Sequence, residues 1–134
     1  MKKNFMKWDI QFIVPYGRSN MKSIHSKEEI MEEVKKDGYH VILFTTKWCG
    51  DCIFIKPSLP EIEENFKNMS FYEMDRDECM EFAQELDIMG IPSFVVYKDG
   101  KEISRFVSSL RKTKQEIIYF LNKTLIEGEN YAKV

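Results

Sequence analysis

The chain has 134 residues, with 20 basic and 22 acidic side chains, a net charge of −2, and 43% hydrophobic and 13% aromatic residues. That is the size of one domain with enough apolar mass to fill a core, so it needs no disulfide framework to staple it. The charges are spread along the chain, which excludes the basic stripe of a nucleic-acid binder. No run approaches the ~18 apolar residues of a membrane-spanning helix.

Residues 1–20 stand apart. Lys2 and Lys3 would suit a signal peptide, but Trp8-Asp9 and Gln11 interrupt the apolar stretch, and Pro15-Tyr16-Gly17-Arg18 offers no small-residue cleavage site. A cytoplasmic location is the resulting expectation. Ile10 to Val14 predicts a short strand ended by Pro15 and Gly17. This leader is either an extra strand or partner surface, or an arm from an upstream start. Met21-Lys22-Ser23-Ile24 then looks like a fresh beginning. The expected division is an extension over 1–20, a domain over 21–126 and a tail over 127–134.

Ser26-Lys27-Glu28-Glu29 is a capping box, and Ile30, Met31 and Val34 follow on one helical face until Gly38. Val41 to Phe44 is continuously apolar after His40, as in a central strand buried on both faces. The spacing of Leu59, Ile62 and Phe66 predicts one helix from Ile53 to Asn68, kinked at Pro57. Phe71 to Met74 predicts a strand, and 78–86 a helix with Cys79, Phe82, Ala83 and Leu86 inward. Ile88 to Pro92 predicts a loop and Ser93 to Lys98 a strand. Asp99-Gly100 predicts a hairpin turn, with Glu102 to Val107 returning. Thr113-Lys114-Gln115-Glu116 opens a last helix through about Leu125, leaving a frayed tail from Gly128. Alternating strands and helices followed by a hairpin imply an α/β fold, a central mixed β-sheet with helices on both faces.

Three cysteines are too few, and odd in number, for a disulfide scaffold. Two form Cys49-Gly50-Asp51-Cys52, a spacing used for redox chemistry or for metal. A structural zinc site needs four ligands, and only Cys79, His25 and His40 remain, none with a second close spacing. No metal and no bound cofactor are therefore expected. Cys79 is either a regulatory thiol or, from its helical face, an inert buried one.

The run Thr46-Lys47-Trp48-Cys49-Gly50-Asp51-Cys52, with Pro57 five residues on, resembles the active site of thioredoxins. Gly90-Ile91-Pro92-Ser93 before an Asp-Gly hairpin resembles their cis-proline loop. The resemblance spans about residues 21–126 and implies the thioredoxin fold. It also implies a thiol–disulfide oxidoreductase in which Cys49 attacks a substrate disulfide and Cys52 resolves the mixed disulfide. Chemistry agrees: a sulfur over the free N–H groups of a helix start is favoured as the anion, and a second thiol one turn on can displace the substrate. Trp48 is expected to shape the docking surface, although its bare alternative is a core aromatic. Gly50, Asp51, Gly90, Ile91 and Pro92 are expected to support the site, with a cis Pro92 leaving the Ile91 backbone free to pair with a substrate strand.

The implied partners are disulfide-containing proteins or small thiols, with an NADPH-dependent flavoprotein reductase as electron donor. The chain is expected to act as a monomer and to bind neither nucleic acid nor membrane. A disulfide oxidase or isomerase, or an interaction module without turnover, are the alternatives. The sequence also departs from the family. Leu43 stands where thioredoxins carry a buried acid, Phe71 where a lysine is common, Asp51 where proline is usual, and Ser108 where glycine is usual. Glu73 replaces the missing acid only if it points inward rather than into solvent.

Overall fold

The computed structural model describes residues 19–132, so the strand expected at Ile10 to Val14 lies outside the described residues. The elements are β1 (Lys22–Ile24), α1 (Lys27–Val34), β2 (Tyr39–Thr45), α2 (Gly50–Ile55), a 3-10 turn (Lys56–Ser58) and α3 (Leu59–Asn65). They continue as β3 (Met69–Asp75), α4 (Met80–Glu85), β4 (Ser93–Lys98), β5 (Lys101–Phe106) and α5 (Lys114–Ala132). The sheet order is β1-β3-β2-β4-β5. β1, β3 and β2 run parallel, while β4 and β5 are antiparallel to their neighbours.

β2 is central because its side chains are apolar on both faces. Ile42 and Phe44 point to a core shared with Ile30 and Val34 of α1 and Phe82 and Ala83 of α4. Val41 and Leu43 point the other way, to Ile55, Leu59 and Ile62 of the α2–α3 segment and Ile117 and Leu121 of α5. All four of these β2 side chains are fully buried, each stabilising the fold by about 1.5–3 kcal/mol. The result is the expected mixed sheet with helices on both faces.

One capping box closes fully and the other in part. The Glu29 N–H donates to Ser26 Oγ at 3.1 Å, and the Glu29 carboxylate takes the His25 N–H at 3.2 Å, one residue before the cap. At α5 the exchange is reciprocal: Thr113 N–H to Glu116 Oε1 at 2.8 Å, and Glu116 N–H to Thr113 Oγ1 at 3.2 Å. At the β4–β5 turn Asp99 and Gly100 both have positive φ, 51° and 90°. Asp99 Oδ1 also accepts the Gly38 N–H at 2.8 Å, which fastens the hairpin to the entrance of β2.

Three expectations change. The helix predicted over 53–68 is two helices joined by a 3-10 turn, because Pro57 has no N–H to continue the α ladder. The domain's first strand is Lys22–Ile24, an edge strand of three residues with only Ile24 buried, too short for periodicity to reveal. The last helix does not stop near Leu125 but runs through Gly128 to Ala132. Gly128 is there for proximity: a Cβ would lie 2.5 Å from Tyr39 Oη.

Candidate active site

β2 ends at Thr45, and Thr46, Lys47 and Trp48 carry the chain over the edge of the sheet to α2. Cys49 is the N-cap residue of α2, in extended conformation, and its sulfur takes the place of a capping oxygen. The Cys52 N–H donates to Cys49 Sγ at 3.3 Å, so an unpaired amide of the helix start is aimed at that sulfur. Opposite, the Cys49 thiol faces the Ile91 carbonyl at 3.8 Å. The Ile91–Pro92 peptide bond is cis. The topology thus brings together the two motifs that lie 40 residues apart in sequence, because β2 and β4 are neighbours.

Both sulfurs are largely covered: Cys49 is 8% exposed and Cys52 5%. Their difference comes from burial of the Cys52 thiol and from the helix N–H that Cys49 receives. Burial pushes the Cys52 thiol up to about 12, the neighbouring Cys49 adds to this, and a backbone hydrogen bond at Thr46 opposes it. Cys52 is therefore held as the neutral thiol while Cys49 caps the helix. Both cysteines and Cys79 are free thiols here. Cys79 lies against Phe82 and Ala83, and burial pushes its thiol up, as for an inert core cysteine.

Trp48 is not a core aromatic. It is 64% exposed, and its Nε1–H donates to Asp77 Oδ2 at 2.7 Å while the Arg76 guanidinium lies 5.7 Å from its ring centre. Ile53, Phe54, Met89 and Leu110 are the other large apolar side chains exposed near the dithiol in sequence or through the loops beside it. Gly50 starts α2 with open space around its α-carbon. Gly90 has none: a Cβ there would meet the Ser108 carbonyl and lie 2.7 Å from Ser109 Cα. The loop before Pro92 is packed backbone to backbone on the loop after β5, and the Ser93 hydroxyl closes it by donating to the Gly90 carbonyl.

Asp51, which stands where the family usually has proline, has a partner. Arg111 Nε donates to Asp51 Oδ1 at 2.8 Å, and the Arg111 guanidinium lies 4.2 Å from the Phe54 ring centre. Leu43 is fully buried, in register with Phe94 of β4, which pairs in turn with Phe106 of β5. Glu73, its partner on β3, is half-buried and accepts the Thr45 hydroxyl at 2.9 Å. It sits in a cavity of about 400 Å³ lined also by His25, Lys47, Lys56 and Glu78. Asp77, Arg111 and Lys112 carry no pattern that marks them in sequence. They stand in polar loops, and only the fold brings Asp77 to Trp48, Arg111 to Asp51 and Lys112 to the Ser108 carbonyl that lies against Gly90.

The thioredoxin family model matches residues 21–123. The chain is 34% identical over 98 residues to thioredoxin of Ovis aries, covering 72% of this chain and 92% of that one. It is 30% identical to an H-type thioredoxin of Fagopyrum esculentum, covering 72% and 82%. The thioredoxin structure from Malassezia sympodialis superposes with a TM-score of 0.64 at 31% identity, over 74% of this chain and 90% of that one. The Trypanosoma brucei brucei thioredoxin reaches 0.71 at 21% identity, over 79% and 91%, and shares the fold. With two thiols one helical turn apart, facing a proline loop on the neighbouring strand, the chain belongs to the thioredoxin family of thiol–disulfide oxidoreductases.

Proposed function

We propose that the chain works in the reducing direction, transferring two electrons from the Cys49/Cys52 dithiol to disulfides of polypeptides or small thiols. The observation that carries this is the unequal state of the two sulfurs: Cys49 accepts a helix N–H, whereas Cys52 is buried and kept protonated. The Cys49 thiolate attacks a substrate disulfide, forming a Cys49–substrate bond and expelling one substrate thiolate. Cys52 then loses its proton and attacks the Cys49 sulfur. The Cys49–Cys52 bond forms, the mixed disulfide breaks, and the second substrate thiolate leaves. The two protons of the dithiol end on the substrate thiols.

Exposed Trp48 and Met89 suit an apolar polypeptide flanking the scissile disulfide, and the Ile91 backbone beside Cys49 suits an extended strand. The spent disulfide is returned to the dithiol by an NADPH-dependent flavoprotein reductase. The reading carries with it a cytoplasmic setting, where such dithiols are kept reduced, and action as a monomer. Cys49→Ser abolishes dithiothreitol-driven reduction of insulin. Cys52→Ser accumulates a mixed disulfide on Cys49 that mass spectrometry detects and that identifies the substrate. Normal turnover by Cys52→Ser excludes the dithiol mechanism, and a wild-type chain without turnover leaves an interaction module.

A further inference from the structure

The loop after β5 frames the dithiol from two sides. At one end the Ser108 and Ser109 backbone lies against Gly90, next to Ile91, whose carbonyl faces Cys49 Sγ at 3.8 Å. At the other end Arg111 Nε donates to Asp51 Oδ1 at 2.8 Å, two residues past Cys49 in the first turn of α2. The buried Lys112 donates to the Ser108 and Leu110 carbonyls at 3.1 Å each and fixes the turn. Leu110 and Arg111 are left at the outer surface. Arg111 is held by its neighbours yet keeps donors to spare. Its guanidinium lies 4.2 Å from the Phe54 ring centre, so one face is covered. Only Nε is engaged, by a single carboxylate oxygen, and among the described residues no protein group takes a hydrogen bond from its two terminal amino groups. A guanidinium whose plane is set by an aromatic face and whose outer edge is open is a fork for a second carboxylate.

We propose that Arg111 is a specificity-determining residue: its open edge takes the carboxylate of a Glu or Asp beside the cysteine of a polypeptide substrate, so that the chain favours acidic disulfide segments. The inference rests on the reductase reading and names its substrate class. A substrate strand that pairs with the Ile91 backbone passes the Ser108–Ser109 backbone, because Gly90 packs on it. Residues flanking the substrate cysteine then meet Leu110 and Arg111. Exposed Phe54 and Leu110 border the fork with apolar surface. That surface suits a polypeptide more than a small thiol, and covering it thins the water around the new ion pair. The two contacts that hold the arginine in place beforehand reduce the entropy lost on binding. No other cation of this loop competes, since Lys112 is turned inward to carbonyls. Beside Trp48, the Arg76 guanidinium is already taken up by the indole ring at 5.7 Å and by Asp77 at 3.6 Å. Recognition of an acid therefore falls on the Arg111 side of the dithiol.

The test mixes the reduced protein with excess disulfide peptide and measures the second-order rate constant of dithiol oxidation. The peptides differ only by Glu or Gln beside one cysteine, placed either one residue before it or one residue after it. The ratio of the Glu and Gln rate constants cancels any change in the reactivity of Cys49 itself, which acts on both peptides alike. Asp51→Asn keeps the arginine and removes its ion pair. Asp51→Asn/Arg111→Met removes the arginine as well and leaves no uncovered carboxylate behind. Arg111 is 54% exposed, so its replacement leaves the core untouched. For one of the two placements the Glu/Gln ratio should be about fivefold higher in Asp51→Asn than in the double variant. Wild type should lie nearer to Asp51→Asn. The same ratio in both variants overturns the proposal, and if wild type alone stands apart, the ion pair merely shapes the loop. An equal gain for both placements also contradicts it, since a diffuse field rather than a fork contact would then be at work. A wild-type chain that oxidises with none of the peptides defeats the reductase reading itself, whereas oxidation by all of them with no change of ratio defeats only this inference.

Discussion

Arg111 Nε donates to the Asp51 carboxylate at 2.8 Å, joining the loop before α5 to the residue between the two cysteines. A lone Asp51 would repel a thiolate on Cys49. With Arg111 against it, the two charges largely cancel at the sulfur. A unit charge uncovered at ~7 Å in water changes the energy of a thiolate by about 0.6 kcal/mol, or about threefold in its population. Asp51→Asn should therefore speed alkylation of Cys49 by about threefold at a fixed pH, Arg111→Met should slow it by a similar factor, and the double variant should return near wild type. A double variant far from wild type, or no effect of either single variant, would show that the two charges do not act on the sulfur as a balanced pair. Both side chains are partly exposed, so the pair itself adds only about 0–1 kcal/mol to stability.

Gly90→Ala should destabilise the fold by about 2–3 kcal/mol, because the new methyl meets the Ser108–Ser109 backbone rather than a side chain that can move. The midpoint of urea unfolding measures this. A variant as stable as wild type would mean that the loop after β5 can step back from the proline loop, and the close packing of the two would not be required.

Leu43→Asp should raise the rate of mixed-disulfide resolution while lowering stability. The buried site offers Val41, Ile55, Phe71 and Phe94 as surroundings. An unpaired carboxylate there costs about 3 kcal/mol or more at neutral pH. The fold disfavours the charged form, so the folded-state pKa is raised. The loss is small below the unfolded carboxyl value of ~3.9 and grows as pH rises toward neutrality. Equal destabilisation at acid and neutral pH would point to lost packing alone.

The buried Cys52 thiol gives the reduced protein its own pH signature. Its folded value lies above the unfolded one, so below pH 9.0 both states hold the proton and stability is flat with respect to this group. Between 9.0 and about 12 the unfolded chain releases the proton while the fold retains it, and stability falls. The stability of the reduced protein should drop more steeply across this range than that of Cys52→Ser. Tyr72, Tyr97 and Cys79, also pushed up by burial, contribute to both and cancel in the comparison. Parallel curves would show that Cys52 is solvated in the reduced state.

The strands at β2 and β4, the Asp99-Gly100 turn and both capping boxes were legible because each rests on local chemistry: a continuous apolar run, a two-residue turn with positive φ, a serine or threonine three residues before a glutamate. The dithiol and its proline loop were legible as motifs. What surrounds them was not. Lys112 follows Arg111 in a polar stretch, and nothing in that stretch says that one side chain turns inward to three oxygens while its neighbour stacks on Phe54. Gly128 read as the start of a frayed tail because a glycine beyond a helix end and a glycine at a close approach look alike until Tyr39 is placed beside it. Pro57 signalled a disturbance in the helix, but only the backbone shows that the ladder changes to a 3-10 turn and resumes at Leu59.

The central claim is that Cys49 and Cys52 form a reversible disulfide poised to reduce others. Equilibration of the protein with glutathione buffers of graded ratio, with the dithiol and disulfide forms counted after acid quench, gives the reduction potential directly. The account predicts one two-electron transition that is absent from Cys49→Ser and Cys52→Ser, at about −220 to −280 mV, the range of thioredoxins and glutaredoxins. A value near −120 mV, where strong disulfide-forming oxidants lie, or the lack of any transition, would contradict it.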